Sequence, residues 1–199
     1  GSPAARLRRT LGPRDRIGHL PAFRILSADP KSKSKVAILR TSPATVIRDH
    51  HRLMNLAGYQ DVLPKDAETG LKINISWHFF FPGCSTTPWQ LDGVIRAMEA
   101  DGYRKELIHA CHNRTVVIDA HLGERENKQL DVVNAYGLRN VHLYEGEEWV
   151  NVRDAVGDLA REFLVLNQVY PKGFSIPRRF IGENIIHLPT VKTHIFTTT

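Results

Sequence analysis

Thiols are scarce in this chain. Cys84 and Cys111 are the only cysteines among 199 residues. Two thiols rule out a disulfide scaffold and are too few for an all-cysteine iron–sulfur cluster. No apolar run approaches the roughly 18 residues of a membrane-spanning helix. Arg6, Arg8, Arg9, Arg14 and Arg16 interrupt any signal-peptide core near the amino end, so the cytosol is the expected compartment and no membrane partner is expected. Four further motifs are absent: Gly-x-Gly-x-x-Gly, the Gly-Lys-Ser/Thr ending of a Walker loop, His-Glu-x-x-His and paired Cys-x-x-Cys. A dinucleotide cofactor is therefore not expected either.

What is present is ordinary globular material with an uneven charge. Hydrophobic residues make up 42% of the chain, enough for a sizeable core. The formal net charge is +6, and residues 1–35 carry nine Lys/Arg against only Asp15 and Asp29. The remaining residues hold 18 basic and 19 acidic side chains, so the body is close to neutral. A basic arm can contact phosphates, but a solvated leader is the commoner use of such a segment. Nucleic acid is accordingly not the expected partner. The reading is a basic extension over residues 1–35 followed by one domain over 36–199.

Within that domain, strand and helix signals alternate. Val36–Leu39 is a strand candidate, and Ser42-Pro43 offers a helix start whose apolar face ends at Gly58. Leu71–Phe80 reads as a second strand. Thr86 or Thr87 caps a helix opening at Pro88 with the stripe Leu91, Val94, Ile95 and Met98, closed by Asp101-Gly102. Leu107–Cys111 and Thr115–Ala120 are apolar runs. Gln129–Tyr136 is a helix stopped by Gly137, Val141–Tyr144 a strand, and Asp154–Arg161 a weak helix. Phe163–Val169 alternates like a strand, and Ile185–Leu188 reads as a buried one ending at Pro189. This order predicts an α/β fold with a mostly parallel sheet and helices on both faces.

Ligands of such folds bind beyond the carboxyl ends of the strands, which directs attention to Lys192, Thr193 and His194 after the last strand. In an extended segment Lys192 and His194 project to one side, where a cation and an imidazole can hold an anion and move a proton. Ser85, Thr86 and Thr87 precede a helix, so free backbone N–H groups and hydroxyls converge there as an anion site, with plain helix capping as the competing reading. His78, His112 and Asn113 complete the candidate crevice. The ten histidines do not form a local metal motif: His50-His51 diverge on a helix, and His109 with Cys111 faces away from His112 on a strand. A metal held by distant residues such as His78, Cys84, His112 and His194 stays open. The acidic stretch Glu145–Glu148 reads as a turn.

The terminal motif Ile185-Ile-His-Leu-Pro-Thr-Val-Lys-Thr-His194 resembles the "inlPklKtH" signature of the family catalogued as domain of unknown function number 362. Ser85-Thr-Thr-Pro88 resembles that family's "atTdP" segment, and the order of elements from residue 36 onward is similar. Ser76-Trp77-His78 stands where members usually carry a lysine and Pro-Asn. The resemblance implies the fold and a site at Lys192-Thr193-His194 but no reaction. Members continue past that motif, which implies a further carboxyl-terminal segment or a partner chain covering the last strand.

The resulting expectation is an enzyme acting on a small anionic metabolite, a carboxylate or phosphate. Lys192 and the Thr86/Thr87 loop would hold the anion and His194 would transfer a proton. The alternatives are a metal- or anion-binding protein without turnover, or a nucleic-acid-associated protein using the basic arm.

Overall fold

The computed structural model describes residues 35–163 and 165–194. Apart from Lys35, the basic extension lies outside these. The described residues fall into two compact units, 35–148 with 183–194, and 149–182.

The larger unit is built on four parallel strands: β1 (Thr69–Ile73), β2 (Ile108–His112), β3 (Arg139–His142) and β6 (Asn184–Leu188), in the order β3-β2-β1-β6. The expected α/β fold with a mostly parallel sheet is therefore observed. From β1 to β2 to β3 the chain steps one place in the same direction each time. Right-handed crossovers, the general rule for such connections, would bring the connecting helices to one face. There Leu71, Ile73, Ile108, Ala110 and Leu188 of the sheet meet Leu91, Val94, Ile95 and Met98 of helix α2 (Pro88–Ala100) and Val133 of helix α4 (Gln129–Tyr136).

Local chemistry explains the helix bounds. The Thr87 hydroxyl accepts from Gln90 N at 3.2 Å and Pro88 occupies the first helical position of α2. Helix α1 (Val46–Ala57) and α4 both end at a glycine in the left-handed region, Gly58 at φ 76° and Gly137 at φ 63°. Helix α1 starts later than Ser42-Pro43, because residues Ser42–Thr45 close a hydroxyl-bonded turn first.

Several expected elements take other forms. Val36–Leu39 makes no strand, and Val36 and Ile38 are exposed. The second strand stops at Ile73, where Asn74–Ser76 turn toward the Cys84–Thr86 loop. Thr115–Ala120 is a single bridge, Thr115 to Ile118, leading into helix α3 (Ala120–Glu126). Among the described residues β6 is an edge strand with His187 exposed, so its apolar run is partly buried rather than interior.

The smaller unit pairs β4 (Trp149–Asn151) and β5 (Ser175–Pro177) antiparallel around Val150, Val152, Ala155, Val156, Ala160 and Ile181. It also contains α5 (Val152–Val156) and α6 (Leu166–Val169); the latter lies where sequence alternation suggested a strand. No described helix is long and apolar enough to cross a membrane.

One carboxylate ties α1 to the end of α2. Asp101 lies 2.8 Å from His51 Nε2, accepts from Asn55 Nδ2 at 2.8 Å and accepts from the Tyr59 hydroxyl at 2.6 Å. Burial pushes its pKa up, but the hydrogen bonds from Tyr59, His51 and Asn55 outweigh burial and leave it below the usual value of 3.8. Asp101→Ala should cost about 1–3 kcal/mol in urea unfolding, since it leaves these donors unpaired. A group whose folded pKa is depressed stabilises above its unfolded pKa and loses that contribution on acidification. The stability gap between wild type and Asp101→Ala should accordingly persist at neutral pH and shrink as pH falls below about 4.

Candidate metal centre

The parallel register delivers two histidines together. His112 ends β2, His142 ends β3, and the two are register partners. Register partners share a sheet face, so Ala110 and Asn140, two residues back, lie on that face as well. The imidazole rings meet edge-on with centroids 4.8 Å apart.

Helix α3 brings a carboxylate to them. Asp119 caps it by accepting from Leu122 N at 2.9 Å. A Cβ on Gly123 would overlap Ile75 Cγ2, so only glycine lets the helix sit this close to the chain leaving β1. Asn127 fixes the other end: its amide donates to Gly123 O and Trp77 O, both at 2.9 Å, and accepts from Phe81 N at 3.2 Å. Glu124 follows Gly123 and is 5% exposed. Its Oε2 lies 2.8 Å from His112 Nε2 and 3.1 Å from His142 Nε2, and accepts from Asn140 Nδ2 at 2.7 Å.

A second layer faces solvent. Glu145 Oε2 is 3.2 Å from His142 Nδ1, and its Oε1 is 2.7 Å from His121 Nε2. His121 Nδ1 in turn lies 3.6 Å from Glu124 Oε1. The Tyr144 ring stacks on His142 at 5.6 Å, and the Arg114 guanidinium stands 5.5 Å over Tyr144.

Electrostatics follow this geometry. Burial pushes the Glu124 carboxyl up, yet hydrogen bonds from His112, Asn140 and His142 hold it down to about 2. The hydrogen bond to Glu145 raises the His121 pKa, and the same bond lowers that of Glu145. Burial, then the charges of Glu145 and Glu124, push the Tyr144 hydroxyl up to about 12. His112, Glu124 and His142 each offer a ligand atom, all within 4.8 Å of one another, and so do His121, His142 and Glu145. Among the described residues, buried His112 Nδ1 and Asn140 Oδ1 have no hydrogen-bond partner. Two imidazoles and a carboxylate are a donor set for a divalent transition metal, with positions left over for another ligand. A third group, Glu68, His109 and Glu183, lies at the opposite end of the strands, where Arg139 already pairs with Glu68 at 2.9 Å.

The residues singled out from sequence land in several places. His112 is in the centre. Asn113 follows it and accepts from Lys72 Nζ at 2.7 Å; burial lowers the Lys72 pKa. His78 stacks on Trp77 and meets Phe79 edge-on, with its backbone against Gly123. The hydroxyls of Ser85, Thr86 and Thr87 are buried and serve the backbone. Ser85 accepts from Ser76 N at 3.2 Å and Thr87 caps α2. Thr86 accepts from Asn74 N at 2.9 Å and donates to Leu188 O. Thr190 donates to Ser85 O at 2.9 Å, bringing the terminal segment to this loop, with Lys192 half-buried and Thr193 and His194 exposed.

Sequence reading missed Glu124, His121, His142, Tyr144 and Glu145. Helix α3 is only seven residues long with little apolar periodicity, and Glu145 stands in what reads as a turn. The available signal was Asp119 as an N-cap three residues before Leu122.

Thr86→Val should destabilise the protein by about 1–3 kcal/mol, because the Asn74 N–H and Leu188 C=O lose their buried partner. Its metal binding should match wild type, as measured by denaturation and Zn²⁺ titration side by side.

No family model, curated protein or solved structure matches this chain.

Proposed function

We propose that the chain is a metal-dependent enzyme acting on a small anionic substrate, with its centre at the carboxyl ends of β2 and β3. The observation that carries this reading is the convergence of His112, Glu124 and His142, two of them buried, on a common point at the edge of a parallel sheet. Ligands of open α/β sheets bind at that edge. Two histidines and one glutamate are three protein ligands, the number that catalytic rather than structural sites keep. Held there, a divalent ion such as Zn²⁺ supplies Lewis acidity toward a substrate oxygen.

The chain's own residues do the rest. Asn140 holds the Glu124 carboxylate in place, the outer-partner arrangement that fixes a ligand, and Glu145 Oε2 lies 3.2 Å from His142 Nδ1 on the far side of the ring. Arg114, exposed and braced on Tyr144, offers a guanidinium to a carboxylate or phosphate. Lys192 and His194 remain as proposed anion-holding and proton-transferring groups beyond the carboxyl end of β6, which β1 separates from β2, the position that the Lys-Thr-His resemblance favours. A metal-binding protein without turnover is the second reading. The same residues support it, and it differs only in the absence of product.

The test is metal affinity of the full chain, freed of metal with a chelator and titrated with Zn²⁺ or Co²⁺. Wild type should bind. His112→Ala should weaken binding by more than the roughly 10–100-fold seen for loss of an outer partner, and Asn140→Ala by about that range. Lack of binding by wild type, or an unchanged affinity in His112→Ala, would refute the assignment.

A further inference from the structure

The two ligand groups share one residue, His142. Its ring nitrogens point in different directions. Nε2 lies 3.1 Å from Glu124 Oε2 and Nδ1 lies 3.2 Å from Glu145 Oε2. One ion cannot take both nitrogens of an imidazole, because their lone pairs diverge. We infer that the centre binds two divalent ions, one at His112, Glu124 and the Nε2 side of His142, the other at His121, Glu145 and the Nδ1 side. This rests on the metal reading above and extends it.

Geometry sets the terms. With metal–nitrogen bonds of about 2.0–2.1 Å on either side of one ring, the ions stand about 6 Å apart. A single oxygen atom does not span that gap, so the imidazole is the link between them. Neutral His142 has one N–H. When the second ion binds, the proton on that nitrogen passes to solvent and both lone pairs serve as ligands. The second group offers two imidazoles and a carboxylate, which suits Zn²⁺, Cu²⁺ or Ni²⁺ better than Mg²⁺ or Ca²⁺.

Exposure distinguishes the two positions. The side chains of His112 and Glu124 are 0% and 7% exposed, whereas those of His121 and Glu145 are 45% and 51% exposed. Water therefore reaches the outer ion and competes for its coordination sites, and the exposed side chains must be ordered before they can bind. The outer ion is the weaker and more exchangeable of the two.

A competing arrangement is plain: Glu145 acts only as a hydrogen-bond acceptor for His142, and a single ion is held. Counting ions separates the two. The metal-free full chain is titrated with Zn²⁺ against a chromophoric chelator, for wild type, His121→Ala and Glu145→Gln. The expected result is two Zn²⁺ per chain in wild type with unequal affinities, the weaker one accompanied by proton release in a lightly buffered solution. Both variants should then bind one Zn²⁺, with the tighter site weakened by no more than the roughly 10–100-fold that loss of an outer partner costs. A wild type that takes only one ion overturns the inference and leaves the single-ion reading standing. Two ions in wild type and still two in both variants overturns it as well, because the second ion then sits elsewhere. No Zn²⁺ in wild type removes both readings together.

Discussion

A buried carboxylate is costly unless donors surround it, and Glu124 is the carboxylate on which the candidate site depends. It is nearly out of solvent, and three side chains from two different strands converge on its Oε2. None of those partners could satisfy it alone. The parallel pairing of β2 with β3 sets His112 beside His142, and the face alternation of β3 sets Asn140 on the same side. The helix between those strands must then approach closely enough to reach all three, and Gly123 against Ile75 makes that approach sterically allowed. Removing any one of these conditions leaves a charge in the interior with too few partners.

The remaining architecture serves the same edge of the sheet. Thr86 joins the chain leaving β1 to the end of β6 by accepting from one backbone and donating to the other. Gln129, fully buried at the start of α4, donates to Thr86 O at 2.8 Å and so fastens that helix to the same loop. Hydroxyls that looked free in the sequence are consumed in holding three segments together. A small polar residue at a strand end meets unpaired backbone groups before it meets any ligand, and in a buried position those groups have the stronger claim.

Around the centre, aromatic and cationic groups grade outward from buried to exposed. His112 is in the interior, His142 is half-buried with Tyr144 stacked on it, and Arg114 lies over Tyr144 at the surface. This order places a fixed donor set inside and an adaptable cation outside, which suits the small anionic substrate proposed above.

Local chemistry alone determined a good part of the fold. The Thr87-Pro88 start of α2, the glycine stops at 58 and 137, the α4 span Gln129–Tyr136 and the strand at Ile185–Leu188 all follow from capping, backbone freedom or apolar runs within a few residues. The parallel sheet followed from their alternation. Burial did not: Val36–Leu39 is as apolar as a strand, yet Val36 and Ile38 are exposed, and Ile185–Leu188 is only partly buried because, among the described residues, β6 has a neighbour on one side only. The centre was beyond local reading for a related reason. Its candidate ligands stand 12 and 18 positions apart in sequence, on a strand end, a short helix and the next strand end, so no spacing rule links them. Strand register and the fit of a single glycine bring them together, and those are properties of the packed chain.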